Sequence, residues 1–248
     1  MFLRMLRATE WGQLLDFVSP SFFEVLSARG LAGAARDLIA SSRDDAGMRA
    51  AAGAITDRIG ARSIPIRLDL ERTRDGSVAP KRSSRDARIA RGQLVLRLYF
   101  EQLLGAEATL LDLRGARFTA RGDTLEWSPA RGFVRWDPAF LDAIRRMYRG
   151  FYADDDAAFR KALAALHLDA AADLFLDHFG AGEQTAVRFE MAHFTRSFHA
   201  VFVRCRERGV QLHPNFVPLG VYLAALYEHL EGLDVPLDVR AAFAAAST

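Results

Sequence analysis

The feature that most constrains the fold is a long apolar stripe at helical spacing between Thr185 and Arg208. Further apolar side chains flank the stripe on both sides, so the segment is apolar around most of its circumference. We therefore expect a helix at the centre of its domain, surrounded by other helices in a bundle. The stripe steps by three or four residues through Val187, Met191, Phe194, Phe198, Val201 and Cys205.

Apolar residues recur at helical spacing through most of the remaining chain. They predict helices in the first sixty residues, over 86–104 and from Asp137 onward. Within 86–104, every second residue from Leu94 to Phe100 is apolar, which suits a strand equally well. The length of the whole pattern and the stop at Gly105 favour a helix.

Polar residues mark where several of these helices begin. Ser19-Pro20 and Asp137-Pro138 each combine an N-cap side chain with a proline at the first helical position. The acidic run 154–156 lies at another predicted helix N-terminus, where negative charge interacts favourably with the helix dipole. Such a run also invites a metal-binding interpretation, but capping accounts for it more simply.

Two segments have the spacing of β-strands. Over 63–70 apolar and polar residues alternate, and Pro65 within the run favours an edge strand. Over 108–136 short apolar runs are separated by glycine turns, a pattern typical of an antiparallel β meander. The chain is thus predicted to be mainly α (α+β): a multi-helix bundle with a small meander at 108–136 and an edge strand at 63–70.

We expect a single domain over 1–248. A soft boundary near residue 137 would separate the helices and small sheet of 1–136 from the helical bundle of 137–248. The lone cysteine, Cys205, excludes a disulfide within the chain and lies on the apolar stripe, so we expect it to be buried.

Charge and hydropathy limit the classes of partner and compartment. The net charge is only +2, so no nucleic-acid partner is expected. No window approaches the length of an apolar membrane span, and Arg4 and Arg7 interrupt the apolar N-terminus. The sequence therefore predicts a cytoplasmic protein. The most basic stretch, Arg62 to Arg97, holds ten basic against four acidic residues; it predicts either a solvated loop or a contact with phosphate or a membrane surface.

The histidines give the most distinctive functional hint, because all six lie between positions 167 and 229. Glu190 and His193 stand three residues apart, which places a carboxylate and an imidazole on one helical face. This spacing suits a general acid–base pair or a metal site to which His178 adds a third ligand. Ligand-binding candidates are His178, Phe194, His199 and His229.

The sequence favours a helical binding or accessory protein that holds a small apolar or aromatic ligand, or a protein partner, against its phenylalanine-rich helices. One alternative is an enzyme that uses Glu190 and His193, with or without a metal. Another is a peripheral membrane or phosphate binder that uses the basic stretch. No cofactor and no oligomeric state is implied by any motif.

Three stretches, 146–156, 162–166 and 212–232, resemble the helical segment that follows the catalytic core in the AarF/ABC1 family of atypical kinase-like proteins; the likeness covers residues 137–235. Leu110 to Gly115 also looks like that family's metal-binding Asp-Phe-Gly, with Asp112 at the aspartate position. The family's nucleotide loop, strand lysine and catalytic loop have no counterpart here. The resemblance therefore implies lost phosphotransfer and a lipid- or quinone-related ligand, and it assigns no catalytic residue.

Overall fold

The computed structural model describes residues 20–71, 83–174 and 186–247. Helices dominate, which confirms the mainly α prediction. The α-helices are α1 Pro20–Glu24, α2 Ala28–Ser41, α3 Asp45–Ala61, α4 Arg85–Gly105, α5 Pro138–Tyr152, α6 Asp156–Ala165, α7 Met191–Glu207, α8 Phe216–Leu233 and α9 Val239–Ser247. Short 3₁₀ turns cover Gly115–Arg117 and Asp169–Ala171.

The strands form two small ladders instead of one continuous meander. They are β1 Ile66–Leu68, β2 Ala108–Leu110, β3 Phe118–Arg121, β4 Thr124–Trp127 and β5 Phe133–Arg135. β3 and β4 pair as an antiparallel hairpin, and β2 pairs antiparallel with β5. The hairpin turn begins at Gly122, whose positive φ of 56° suits a residue without a side chain.

The predicted edge strand is confirmed, in a shorter form than 63–70. β1 lies at one edge of a three-stranded sheet in the order β1-β4-β3. It pairs parallel to β4, with Ile66 opposite Leu125. Pro65 lacks an N–H, but its carbonyl accepts a hydrogen bond from the Leu125 amide at 2.9 Å, so the proline costs the ladder little.

The chain divides into two compact units. Unit 1 takes its described residues from 20–37, 136–174 and 190–221. Unit 2 takes its described residues from 38–71, 83–135, 186–189 and 222–247. The chain crosses from unit 2 to unit 1 between Arg135 and Trp136. Further along, the described residues 186–189 belong to unit 2, 190–221 to unit 1, and 222–247 to unit 2 again.

Helix α4 is the buried centre of unit 2 and packs against α3, α9 and β2. From Val95 to Leu104 only Arg97 is more than marginally exposed. This burial explains why the sequence suited a strand and a helix equally: a helical stretch enclosed on nearly all sides carries apolar residues at both spacings, here with Arg97, Glu101 and Gln102 as the exceptions. The buried Gln102 ties β2 to this helix, because its side-chain oxygen accepts from the Leu110 amide at 2.9 Å.

Helix α7 differs from its prediction in two respects. It begins at Met191, not Thr185, because Val187 exchanges backbone hydrogen bonds of 2.8 and 2.9 Å with Leu237 and is held extended. It also buries one face only, while His193 and His199 are exposed. The expectation that this helix is apolar on most sides and central to its domain is therefore wrong. Cys205 is fully buried on the apolar face, as expected.

The predicted N-cap hydrogen bonds of α5 and α6 are present in the structure. The Asp137 side chain accepts from the Phe140 amide at 2.9 Å, with Pro138 opening α5. Asp155 accepts from the Ala158 amide at 2.9 Å and caps α6, which confirms the capping interpretation of the run 154–156. Pro20 opens α1, while Ser19 lies outside the described residues.

No helix within the described ranges is both long and apolar enough to cross a membrane.

Candidate functional site

The residues proposed from the sequence as an acid–base pair lie at the start of α7 in unit 1. Glu190 occupies the N-cap position, with an extended backbone at φ −135° and ψ 123°, and is exposed. His193 is also exposed, and its Nε2 lies 3.4 Å from the Ser197 hydroxyl. Both groups therefore sit at the surface, where water screens the interaction between a carboxylate and an imidazole.

The other sequence-predicted residues are dispersed over the two units. Phe194 is buried on the inner face of α7, and His199 is exposed one and a half turns further on. His229 is buried in α8 within unit 2. His178 lies outside the described residues. Across the ranges that the structure describes, no three His, Cys, Asp or Glu side chains are grouped closely enough to hold a metal ion.

His229 is locked in one neutral form by its two hydrogen bonds. Its Nε2 accepts from the Arg91 Nε at 2.9 Å, and its Nδ1 lies 3.0 Å from the Leu113 carbonyl oxygen. Because a guanidinium only donates, Nε2 carries no proton, and Nδ1 must be the nitrogen that donates to the carbonyl. Burial, together with the positive charge of Arg91, lowers the pKa of His229 to about 3.

Acidification is expected to destabilise the protein through this histidine. An unfolded histidine titrates near 6.5, whereas native His229 takes no proton until pH about 3. Between these two pH values the unfolded state binds more protons than the native state does, so the stabilisation from neutral His229 is complete above pH 6.5 and is lost as pH falls. Between pH 7 and pH 5 this histidine should lower the free energy of unfolding by about 2 kcal/mol.

Urea denaturation of wild type and His229→Gln at both pH values measures this contribution. Glutamine keeps a donor and an acceptor but does not titrate, so the variant should lose about 2 kcal/mol less than wild type on acidification. An equal loss in both proteins would contradict the assignment of His229 as a buried neutral imidazole.

The loop after β2 is fastened to α4 and α8 around the same histidine. The Gly115 carbonyl accepts from Arg91 Nη2 at 3.0 Å, and its amide donates to Glu228 Oε2 at 2.9 Å. Burial lowers the pKa of Arg91, and the charge of Glu228 opposes that shift. Every polar group named here has an internal partner, which is the pattern of a fixed structural network.

Asp112 is fully buried and is paired with two arginines. Arg114 binds both carboxylate oxygens, with Nε and Nη2 each at 2.7 Å, and Arg117 Nε donates to Oδ2 at 2.8 Å. The Ala130 amide adds a further bond of 3.0 Å. This carboxylate therefore neutralises arginines and closes the loop.

A second buried carboxylate, Glu101 on α4, lies among three arginines that reach the surface of unit 2. Its oxygens are 2.6 Å from Arg58 Nε, 3.6 Å from Arg97 Nε and 3.9 Å from Arg62 Nε. The Glu101 side chain is 2% exposed, whereas each arginine side chain is 25–27% exposed. We call these four residues the arginine cluster.

Only the Arg58 contact with Glu101 is a close ion pair; the Arg97 and Arg62 contacts, at 3.6 and 3.9 Å, are longer than hydrogen bonds, and none of the three contacts is an aligned hydrogen bond. Neither Glu101 oxygen has a hydrogen-bond partner among the described residues, and the same holds for the buried Nε atoms of Arg58 and Arg97. Such unsatisfied buried polar atoms are rare in folded proteins. The cluster therefore keeps both donor and acceptor capacity beside the surface.

The local fold explains how the arginines are brought together. Arg58 lies in the last turn of α3, Arg62 is the C-cap of that helix, and Arg97 is one turn from Glu101 on α4. The helix C-terminus favours cations through its carbonyl dipoles. Gly105 leaves the space that the Arg58 guanidinium fills, since a Cβ at this position would collide with it.

Sequence reasoning identified the basic stretch that contains Arg62 and Arg97 but missed Arg58 and Glu101. The signal for Glu101 was available: it is a charged residue in an otherwise apolar run, four residues after an arginine. Nothing in the sequence brings Arg58 to the same point, because that contact depends on how α3 packs on α4.

No protein-family model matches the chain, and no curated protein matches it.

Proposed function

We propose that this chain is a binding protein whose ligand is an oxyanion of the phosphate type, held by Arg58, Arg62 and Arg97. The observation that carries the proposal is the arginine cluster: three part-exposed guanidinium groups between 2.6 and 3.9 Å from one buried carboxylate. Of the functions that the sequence left open, phosphate binding through the basic stretch draws the most support from this geometry.

The charges of the cluster do not balance. Three guanidiniums face one carboxylate, which leaves two positive charges among these four side chains. The carbonyl ends of α3 and α9 offset part of that excess, with Arg58 Nη2 lying 3.5 Å from the Ala246 carbonyl oxygen. The planar guanidinium fork matches phosphate oxygens better than any other side chain does, so the surplus donors suit an oxyanion.

The other buried polar groups described above have structural contacts, which lend the enzyme alternative no support. His229 and Asp112 are occupied by internal partners, and these contacts hold the loop after β2 in place. The enzyme alternative, based on Glu190 and His193, draws less support because both side chains are exposed to water.

A second candidate ligand is apolar, and the observation that favours it is a ladder of phenylalanine rings in unit 1. The ring centroid of Phe198 lies 4.6 Å from that of Phe194 and 5.8 Å from that of Phe202. The Phe22 ring continues the series, with its centroid 4.8 Å from that of Phe202. Phe198 is only partly buried, so its ring offers apolar contact area at the surface of α7.

Isothermal titration with inorganic phosphate at low ionic strength tests the leading proposal. Arg97→Gln should weaken phosphate binding by about tenfold or more, because one charge-assisted contact is lost from the cluster. Arg146→Gln is the matched control, since Arg146 forms an exposed ion pair with Asp142 on α5 in unit 1. Absence of phosphate binding by wild type, or equal affinity in Arg97→Gln, would refute the proposal.

A free phosphate and the phosphate of a lipid headgroup present the same chemistry to the arginines. Sedimentation with anionic vesicles at low salt separates the two sources: a lipid ligand brings the protein down with the vesicles, and free phosphate then competes.

As part of the same proposal we place the protein in the cytoplasm, where the buried Cys205 would stay a free thiol. Burial, with the charge of Asp169, raises the pKa of this thiol to about 11.

A further inference from the structure

We propose that the arginine cluster selects oxyanions that carry a proton, such as inorganic phosphate, over sulfate, with Glu101 accepting a hydrogen bond from the P–OH group. The inference rests on the proposed function, because it concerns which oxyanion the same arginines hold. It adds a role for the carboxylate: Glu101 is the group that discriminates, and the arginines are the groups that attract.

The geometry supplies an acceptor where a simple anion site would have none. Glu101 is 2% exposed and both of its oxygens lack an aligned donor among the described residues. A carboxylate offers about four lone-pair sites. Arg58 already contacts Oε2 at 2.6 Å, whereas the Arg97 contact with Oε1 is 3.6 Å long, so Oε1 is the oxygen with room for a further donor. A ligand that seats against the guanidiniums and turns them toward itself brings its own oxygens next to this acceptor.

The chemistry of the two oxyanions differs at that point. Inorganic phosphate keeps at least one P–OH group near neutral pH, and that group donates to a carboxylate. Sulfate has no proton to donate, so its oxygen would meet a Glu101 oxygen as a second negative charge. A site that pairs a ligand hydroxyl discriminates strongly against an analogue lacking it, because the site's buried group is then left unpaired.

In phosphate monoesters the presence of a P–OH group depends on pH. Their second ionisation falls near pH 6, so the monoester loses its last P–OH at higher pH while inorganic phosphate keeps one. The site should therefore bind a monoester such as phenyl phosphate at pH 5.5 and lose affinity for it, relative to inorganic phosphate, by pH 7.5.

Competition titrations of wild type and Glu101→Gln with phosphate and sulfate, at matched ionic strength, test the inference. Wild type should bind phosphate at least about tenfold more tightly than sulfate. In Glu101→Gln the amide donates to either anion, so the preference should fall and sulfate binding should strengthen. Asp142→Asn, which alters an exposed carboxylate paired with Arg146, should keep the wild-type preference.

The outcomes separate the two proposals. Equal affinity of wild type for phosphate and sulfate would overturn the selection mechanism and leave anion binding intact. Binding of neither anion would overturn both. If Glu101→Gln fails to fold, the phosphate–sulfate ratio and the pH dependence of phenyl phosphate binding in wild type still decide the matter.

Discussion

Replacing Asp112 by alanine should lower the free energy of unfolding by about 3–5 kcal/mol, the largest loss that we expect from any single side chain. The carboxylate is fully buried, and its removal leaves two mostly buried guanidiniums, of Arg114 and Arg117, without their anion. It also removes the acceptor of the Ala130 amide. Urea denaturation at pH 7 measures the change.

Asp142→Ala is the control for this prediction. Asp142 pairs with Arg146 at 2.8 Å, yet both side chains are more than half exposed, so the pair should contribute within about 0.5 kcal/mol. A similar small loss for Asp112→Ala would show that Arg114 and Arg117 reach water readily and that the network around the loop after β2 is not structural.

Gly150→Ala should destabilise unit 1 by about 3 kcal/mol, at the upper end of the range for overpacking. A Cβ at this position of α5 would lie 2.6 Å from the Phe159 backbone nitrogen and 2.9 Å from the Phe159 Cα on α6. Because the obstructing atoms are backbone, no rotamer change relieves the collision, and the two helices must separate.

Gly33→Ala gives the opposite sign and serves as the control. Gly33 lies in α2, also in unit 1, and a Cβ at this position would meet no atom within 4 Å. Alanine there should stabilise the protein by about 0.5–1 kcal/mol through helix propensity and reduced unfolded-chain entropy. Thermal unfolding measures both changes. If Gly150→Ala proved as stable as wild type, that result would contradict the close packing of α5 on α6.

The sequence predicted secondary structure well where periodicity and capping agree. The helix at 86–104 was favoured by the length of its apolar pattern and the stop at Gly105, and it is α4 in the structure. The parallel pairing of β1 with β4 was not predicted, because alternation reveals a strand but not its neighbour. The helix predicted from Thr185 begins late because Val187 pairs with Leu237, a contact fifty residues away in sequence.

The candidate site was harder to predict than the fold. The clustering of histidines in sequence drew attention to Glu190 and His193, whereas burial and partners depend on tertiary packing. Only His229 among the proposed histidines that the structure describes is enclosed in a polar network, and nothing local distinguishes it in the sequence. The basic stretch indicated the right region for the arginine cluster, but Arg58 joins it through the packing of α3 on α4.

The most direct test of the proposed function is a crystal structure of wild type with arsenate, a protonated phosphate analogue that scatters anomalously. We predict an anomalous peak within about 5 Å of the guanidinium carbons of Arg58, Arg62 and Arg97, the separation that follows when arsenate oxygens make charge-assisted contacts of about 2.8 Å with guanidinium nitrogens. A peak at another surface only, or none at this cluster at millimolar arsenate, would contradict the assignment of these arginines as the binding site.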